Sequence, residues 1–155
     1  MSYHTYSVDG YGICTSAIET TLDKVKELLT YAPKFEKEIE EYFKEWDIDD
    51  PTLDDYLEYD QDYFSDIAEI LRGVIKEAED VELTYADDFD GIGYLLLCPW
   101  YPWSHVTERE KNLTIEEVDN IFRKYVNILT NKPITIEYQS VENGGWLYEY
   151  LHWFT

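Results

Sequence analysis

Residues 92–98, IGYLLLC, form a strongly apolar run that decides the fold class, because it predicts the central strand of a sheet. The preceding DDFDG (87–91) predicts a tight turn, and VELTYA (81–86) before it predicts a second strand. Residues 2–18 are aromatic and β-branched around Asp9-Gly10, which predicts a strand pair, or one strand and a turn. The sheet is therefore expected to include strands from distant parts of the chain.

The last third of the chain predicts a hairpin and an aromatic loop. ITIEYQSV (134–141) and WLYEYLHWF (146–154) flank ENGG, which is a strong hairpin signal, and PWYPW (99–103) predicts a rigid loop. One face of the final strand carries Trp146, Tyr148, Tyr150, His152 and Phe154. These aromatic residues either pack against the helices or form a binding platform, and the sequence leaves both interpretations open.

Helical periodicity fills the segment between these strands. The first helix is expected to begin at Thr20 or Thr21, with Asp23 as the acid of a capping box, and to end before Pro33. Pro33 suits the first turn of a second helix. The apolar residues expected to face inward from this second helix are Phe35, Ile39, Phe43 and Trp46.

Capping boxes mark the start of two further helices. Thr52 with Asp55 opens a third helix, which is expected to reach residue 79 with a kink allowed at residues 60–64, and Thr114 with Glu117 opens the last. The inward residues are Leu53, Leu57, Phe64, Ile67, Leu71, Val74 and Ile75 in the third helix, and Val118, Ile121, Phe122, Tyr125 and Leu129 in the last. This order predicts one α+β domain over residues 1–155, with a mostly antiparallel sheet, a helical middle segment and one later helix.

The net charge of −22 is concentrated in one third of the chain. Residues 36–90 carry 22 acids and 4 bases, against 4 and 3 in residues 1–35 and 8 and 5 in residues 91–155. Solubility requires a net charge of only about 2–8 for a small domain, and a general adaptation to salt would spread the acids more evenly. Such a field repels phosphates, so direct binding to nucleic acid or to an anionic membrane is disfavoured and a basic partner is favoured.

The densest acidic stretch is DDPTLDDYLEYDQDYFSD, residues 49–66, in which eight of eighteen residues are acids and none is Lys or Arg. On one helix, Asp54, Glu58, Asp62 and Asp66 would form a continuous acidic row, with Asp55 and Glu69 beside it. Three like-charge pairs at this spacing cost about 0.6–1.5 kcal/mol. A solvated helix face is one interpretation, but such faces usually interleave Lys, and a functional surface is the other.

The density of these charges is similar to that of a nucleic acid. Residues 47–66 hold nine acids, and as a helix they would span about 30 Å, or about 3.3 Å per charge. One DNA strand presents a phosphate about every 3.4 Å. We therefore expect this face to fill a channel lined by Lys and Arg. The expected contact residues are Asp47, Asp49, Asp50, Asp54, Asp55, Glu58, Asp62, Asp66, Glu69 and Tyr59.

Catalytic motifs do not assemble in this sequence. His4, His105 and His152 lie far apart, and neither a nucleophile elbow nor a Gly-rich phosphate-binding loop is present. Pro51 and Thr52 exclude an EF-hand in residues 47–58, although DDFDG remains a candidate for weak cation binding. We expect a non-enzymatic protein without a cofactor. A hydrolase that uses a carboxylate pair stays open, because some of 34 acids will always lie close together.

The sequence also predicts a cytoplasmic chain. No apolar run reaches the length of about 20 residues that a membrane-spanning helix needs, and the N-terminus does not resemble a signal peptide. Cys14 and Cys98 are too few for a disulfide framework, so they are expected to be two buried thiols.

Three segments resemble a family of small uncharacterised proteins of bacteria and their mobile elements. They are YGIC (11–14), DPTLDDYLEYDQDYF (50–64) and residues 101–145, from YPWSHVTEREKN to ENGG. This resemblance implies no catalytic motif. In size and charge the chain is also similar to phage-encoded DNA mimics, such as anti-restriction proteins and anti-CRISPR inhibitors. That second resemblance implies a protein that inhibits a CRISPR effector or a restriction nuclease by occupying its cationic channel.

A second functional expectation uses the other end of the chain. It is a mobile-element or housekeeping interaction module that works through the aromatic hairpin, with Trp146 and Tyr148 on its surface. Both expectations describe binding proteins, and they differ in which surface is used.

Overall fold

The structure, a computed structural model, describes residues 7–60, 66–98 and 107–142. In these ranges one antiparallel sheet has the strand order β2-β3-β1-β4. The strands are β1 (Ser7–Cys14), β2 (Thr84–Asp87), β3 (Gly93–Leu97) and β4 (Glu137–Glu142). The apolar run at residues 92–98 thus supplies an inner strand between β2 and β1, which confirms its predicted central place.

Strand β1 passes straight through Asp9-Gly10. Asp9 pairs with Ser140 and Gly10 with Gln139 on β4, so the predicted strand pair or turn at this dipeptide is wrong. A Cβ atom at Gly10 would lie 2.7 Å from the carbonyl oxygen of Leu97. The glycine therefore serves the close approach of β3, where the sequence suggested a turn.

The described ranges contain six α-helices and one short 3-10 helix (Thr15–Ala17). The α-helices are α1 (Leu22–Leu29), α2 (Pro33–Glu45), α3 (Leu53–Leu57), α4 (Ala68–Glu79), α5 (Glu108–Lys111) and α6 (Ile115–Leu129). Ile13 of β1 and Leu95 of β3 are fully buried in one cluster with side chains of α1, α2, α4 and α6. These elements form the predicted α+β fold with an antiparallel sheet, which is confirmed.

Local capping signals predicted most helix starts. Thr52 with Asp55 and Thr114 with Glu117 form complete capping boxes, as expected. The side chain of Thr21 accepts a hydrogen bond from the Lys24 N–H and caps α1. Asp23 lies one position too early to be the acid of that box, so that detail is wrong. A further box, Thr107 with Glu110, starts α5, which the periodicity did not indicate.

The predicted long third helix is wrong, because two shorter helices replace it. Helix α3 ends at Leu57, and α4 begins only at Ala68. Asp60 has a φ of 53°, in the left-handed region, which an α-helix cannot continue through. The predicted apolar residues of α4, from Ile67 to Ile75, are nevertheless buried.

Trp46 faces away from the core, contrary to prediction. Ile39 and Phe43 of α2 are buried, whereas the side chain of Trp46 is 66% exposed. The chain turns at Asp47, and the next residue, Ile48, packs against the core instead.

Other predictions fall partly or wholly outside the described ranges. The aromatic loop, the second strand of the C-terminal hairpin and all three histidines lie there, as does Asp62. Within the described part of the chain, no helix is long and apolar enough to cross a membrane. Cys14 and Cys98 are both free, and they are half-buried where full burial was expected.

Candidate acidic interface

The acidic connector, defined here as residues 47–60, joins α2 to the approach to α4. It carries seven carboxylates and no Lys or Arg. Its only helix, α3, has five residues and is about 7.5 Å long. The charges therefore lie on turns around one short helix, and the continuous acidic row of 30 Å expected on a single helix does not form.

Six carboxylates of the connector point to solvent. Within the described ranges, none of their side chains takes part in an ion pair or a hydrogen bond. They are Asp47, Asp49, Asp50, Asp54, Glu58 and Asp60, and all six residues are exposed. These six carboxylates are therefore not directly paired with a cation in the part of the protein that the structure describes.

Three of the predicted contact residues instead serve the fold. Asp55 accepts the Thr52 N–H at 2.8 Å and caps α3. Asp66 accepts the Ala68 N–H at 2.9 Å and the hydroxyl of Thr15 at 3.0 Å, which links the start of α4 to the residue that follows β1. Glu69 pairs with Arg72 at 3.0 Å. Their carboxylates are already engaged, so they are weaker candidates for a partner.

The tyrosines of the connector pack inward. The ring of Tyr59 meets that of Tyr42 edge to face at 5.0 Å and that of Phe35 at 6.0 Å. Tyr56 is buried and meets Phe43 at 5.0 Å. Burial, followed by nearby carboxylates, raises the pKa of both phenols. Packing is thus the observed role of Tyr56 and Tyr59, and it holds the connector against α2.

Three aspartates of the connector adopt left-handed backbone conformations. The φ angles are 54° at Asp47, 50° at Asp50 and 53° at Asp60. Glycine is the usual residue in this region, and Asp47 occupies the position after a helix C-cap where glycine is strongly preferred. The connector therefore keeps charge at three positions where glycine would relieve backbone strain.

The groove between α2 and α4 has a different character. Its volume is about 490 Å³, and it carries both signs of charge. The charged residues that line it are Lys34, Arg72, Lys76, Glu38, Asp60, Glu69, Glu77 and Asp80. Glu77 accepts the N–H groups of Lys34 at 3.2 Å and Phe35 at 2.7 Å, which caps α2 from a neighbouring helix. This groove thus serves the docking of two helices.

The DDFDG segment forms the predicted tight turn between β2 and β3. One oxygen of Asp88 accepts the N–H groups of Asp90 at 2.9 Å and Ile92 at 3.0 Å. Burial, and then the charges of Asp88 and Asp66, raise the pKa of Asp87. In the ranges that the structure describes, no group of three or more His, Cys, Asp or Glu residues is placed to hold a metal ion.

Neither a protein-family model, a curated protein nor a solved structure matches this chain. The acidic connector is therefore interpreted from its own chemistry.

Proposed function

We propose that this protein binds a basic, nucleic-acid-handling enzyme through the acidic connector and thereby blocks the enzyme's nucleic-acid site. A CRISPR effector or a restriction nuclease is the expected class of partner. The observation that carries the proposal is a set of six exposed carboxylates within 14 residues that include no cation, and none of the six is paired with another described residue.

The proposal relies on the local density of carboxylates in the connector and does not require regular spacing along one helix. The carboxylates lie on the short helix α3 and on the turns around it, so the proposal requires a cationic surface on the partner but no straight row of charges. Binding should release ions from both surfaces, and its affinity should fall as the salt concentration rises. Asp55 supports the connector by capping α3, whereas Asp66 and Glu69 lie outside the connector and are engaged by a hydrogen bond and an ion pair near the start of α4.

A triple charge reversal tests the proposal. Asp49→Lys, Asp54→Lys and Glu58→Lys change three exposed carboxylates that have ordinary backbone conformations. The matched control is Glu27→Lys, Glu137→Lys and Glu142→Lys, which makes the same charge change at exposed acids outside the connector. Each protein is titrated into purified nucleases bound to fluorescent DNA, and the release of DNA is followed by anisotropy.

The wild type and the control triple should displace DNA, and the connector triple should not. Full displacement by the connector triple would show that the connector is not the working surface. If the wild type displaces DNA from none of the nucleases tested, the proposed function itself is contradicted.

A further inference from the structure

Among the described residues near the connector, the most exposed large apolar side chain is an indole. Trp46 forms the C-cap of α2 and is 66% exposed. It directly precedes Asp47, and Asp49 and Asp50 follow shortly after. Tryptophan is enriched among the residues that dominate binding energies, so its exposure beside carboxylates that have no ion-pair partner among the described residues points to a partner.

The backbone beneath this indole is fixed. The Ile48 N–H donates to the Phe43 carbonyl at 2.8 Å, and the Asp47 N–H donates to the Lys44 carbonyl at 3.2 Å. These two hydrogen bonds close the left-handed end of the helix. Trp46 is therefore presented from a defined position, which reduces the entropy lost when a partner orders it.

One side of the indole is supported by other aromatic rings. The ring of Tyr42 lies 6.2 Å from that of Trp46, tilted by 44°. Tyr42 in turn contacts Tyr59, which contacts Phe35 in the groove between α2 and α4. This row of rings links the exposed indole to side chains packed against the core.

The indole face is open to a cation from outside. Elsewhere in the described ranges, Lys124 lies 5.8 Å from the ring centre of Tyr31 and 5.1 Å from that of Tyr125. No lysine or arginine of those ranges is placed in this way over Trp46. A guanidinium is planar, stacks on aromatic faces and binds carboxylates with two parallel hydrogen bonds, whereas an ammonium is a compact, strongly hydrated charge.

We infer that Trp46 is the anchor for an arginine side chain of the basic partner, so that the connector prefers arginine-rich to lysine-rich surfaces. The guanidinium stacks on the indole while neighbouring carboxylates receive its N–H groups. This inference rests on the proposed function, and it adds the chemistry by which the partner is selected.

Labelled nona-arginine and nona-lysine peptides test this preference with the full-length protein. Dissociation constants are measured by anisotropy over a range of salt concentrations. The ratio of the two constants is the readout, because both peptides carry the same charge. Trp46→Leu keeps apolar bulk and removes the aromatic face. It should reduce the preference for arginine by about twofold to fivefold, since an exposed cation–π contact has this size, with the salt dependence unchanged.

Two variants control for other effects of the substitution. Trp46→Phe keeps an aromatic face and should retain part of the preference. Tyr138→Leu removes a ring that is 67% exposed but lies on β4, and it should leave the ratio unchanged. Circular dichroism and thermal unfolding test whether each variant is folded. If Trp46→Leu does not fold, Trp46→Phe is compared with the wild type instead.

The outcomes separate this inference from the proposed function. If Trp46→Leu folds and its ratio of nona-lysine to nona-arginine dissociation constants equals that of the wild type, the arginine anchor is overturned although binding persists. If only Trp46→Phe folds, a ratio equal to that of the wild type overturns the anchor in the same way. If the connector triple reversal leaves both peptide affinities unchanged, the acidic connector is not a binding surface. Both proposals then fail together.

Discussion

Replacing Asp47 by glycine should stabilise the protein and weaken its binding to a basic partner. Asp47 follows the C-cap of α2 with a φ of 54°, and its side chain is exposed and unpaired within the described ranges. Glycine adopts this conformation without steric conflict. The substitution therefore removes strain and one negative charge together, and the two effects need to be separated.

The expected change in the free energy of unfolding of Asp47→Gly is the sum of three contributions. The left-handed conformation costs an L-residue about 1–2 kcal/mol, with Asp at the lower end. The greater freedom of glycine in the unfolded chain offsets about 0.4–1 kcal/mol of the gain. Removing one of several like charges adds about 0.2–0.5 kcal/mol. With Asp at the lower end, these contributions sum to an expected increase of about 0.2–1.1 kcal/mol in the free energy of unfolding for Asp47→Gly.

Urea denaturation and thermal unfolding measure this change. For a chain of this length, about 1 kcal/mol corresponds to a rise in Tm of about 2–4 °C. Asp47→Asn is the matched control, because it removes the charge and keeps a residue that tolerates the left-handed region. It should show only the electrostatic part, about 0.2–0.5 kcal/mol. Both variants should lose the same affinity for nona-arginine, because each loses one carboxylate.

The difference in stability between Asp47→Gly and Asp47→Asn separates the backbone effect from the loss of charge. If Asp47→Gly is no more stable than Asp47→Asn, the relief of backbone strain does not exceed the conformational entropy that glycine adds to the unfolded chain. If Asp47→Asn is no more stable than the wild type, the charge at this position has no cost in stability, contrary to this prediction.

Two further predictions concern the contact between α4 and α6. Tyr125 is buried and donates to Glu79 at 2.5 Å, so Glu79→Ala should cost about 1–3 kcal/mol by leaving a buried hydroxyl without its acceptor. In the same urea titration Glu108→Ala, whose side chain is 86% exposed, should change stability little, and equal losses would refute this account. Burial, then the hydrogen bond to Glu79, raise the pKa of Tyr125 above its ordinary value of about 10. The protonated phenol of Tyr125 therefore contributes stability that is present below pH 10 and lost as the pH rises above it. The thermal stability of Tyr125→Phe should decline less steeply with alkaline pH than that of the wild type, and an equal slope would contradict this prediction.

Helix starts could be predicted because their signals are local. In the boxes at Thr52 and Thr114, two residues three positions apart each accept the backbone N–H of the other with their side chains. The inner strand β3 could also be predicted, since an apolar run of that length has few other places in a small domain. In both cases the information lies within a few neighbouring residues.

The break after α3 could not be predicted from periodicity. Leu57, Ile67 and Leu71 keep helical spacing across the break, because two helices packed on one core can share an apolar pattern. Asp60 interrupts the helix by its backbone conformation, which the apolar pattern does not register. The same limit explains Trp46, where a left-handed Asp47 lets Ile48 take the inward place.

The choice of aspartate at the left-handed positions is the remaining argument for a functional surface. In the described ranges all four residues other than glycine with positive φ are aspartates: Asp47, Asp50, Asp60 and Asp80. Asparagine tolerates this conformation as well and carries no charge, so backbone conformation alone does not require Asp. Three of the four lie in a segment where each added carboxylate is repelled by its neighbours. A cationic partner removes that repulsion, so the bound protein should be more stable than the free protein. The carboxylates that destabilise the free protein are therefore those that stabilise the complex.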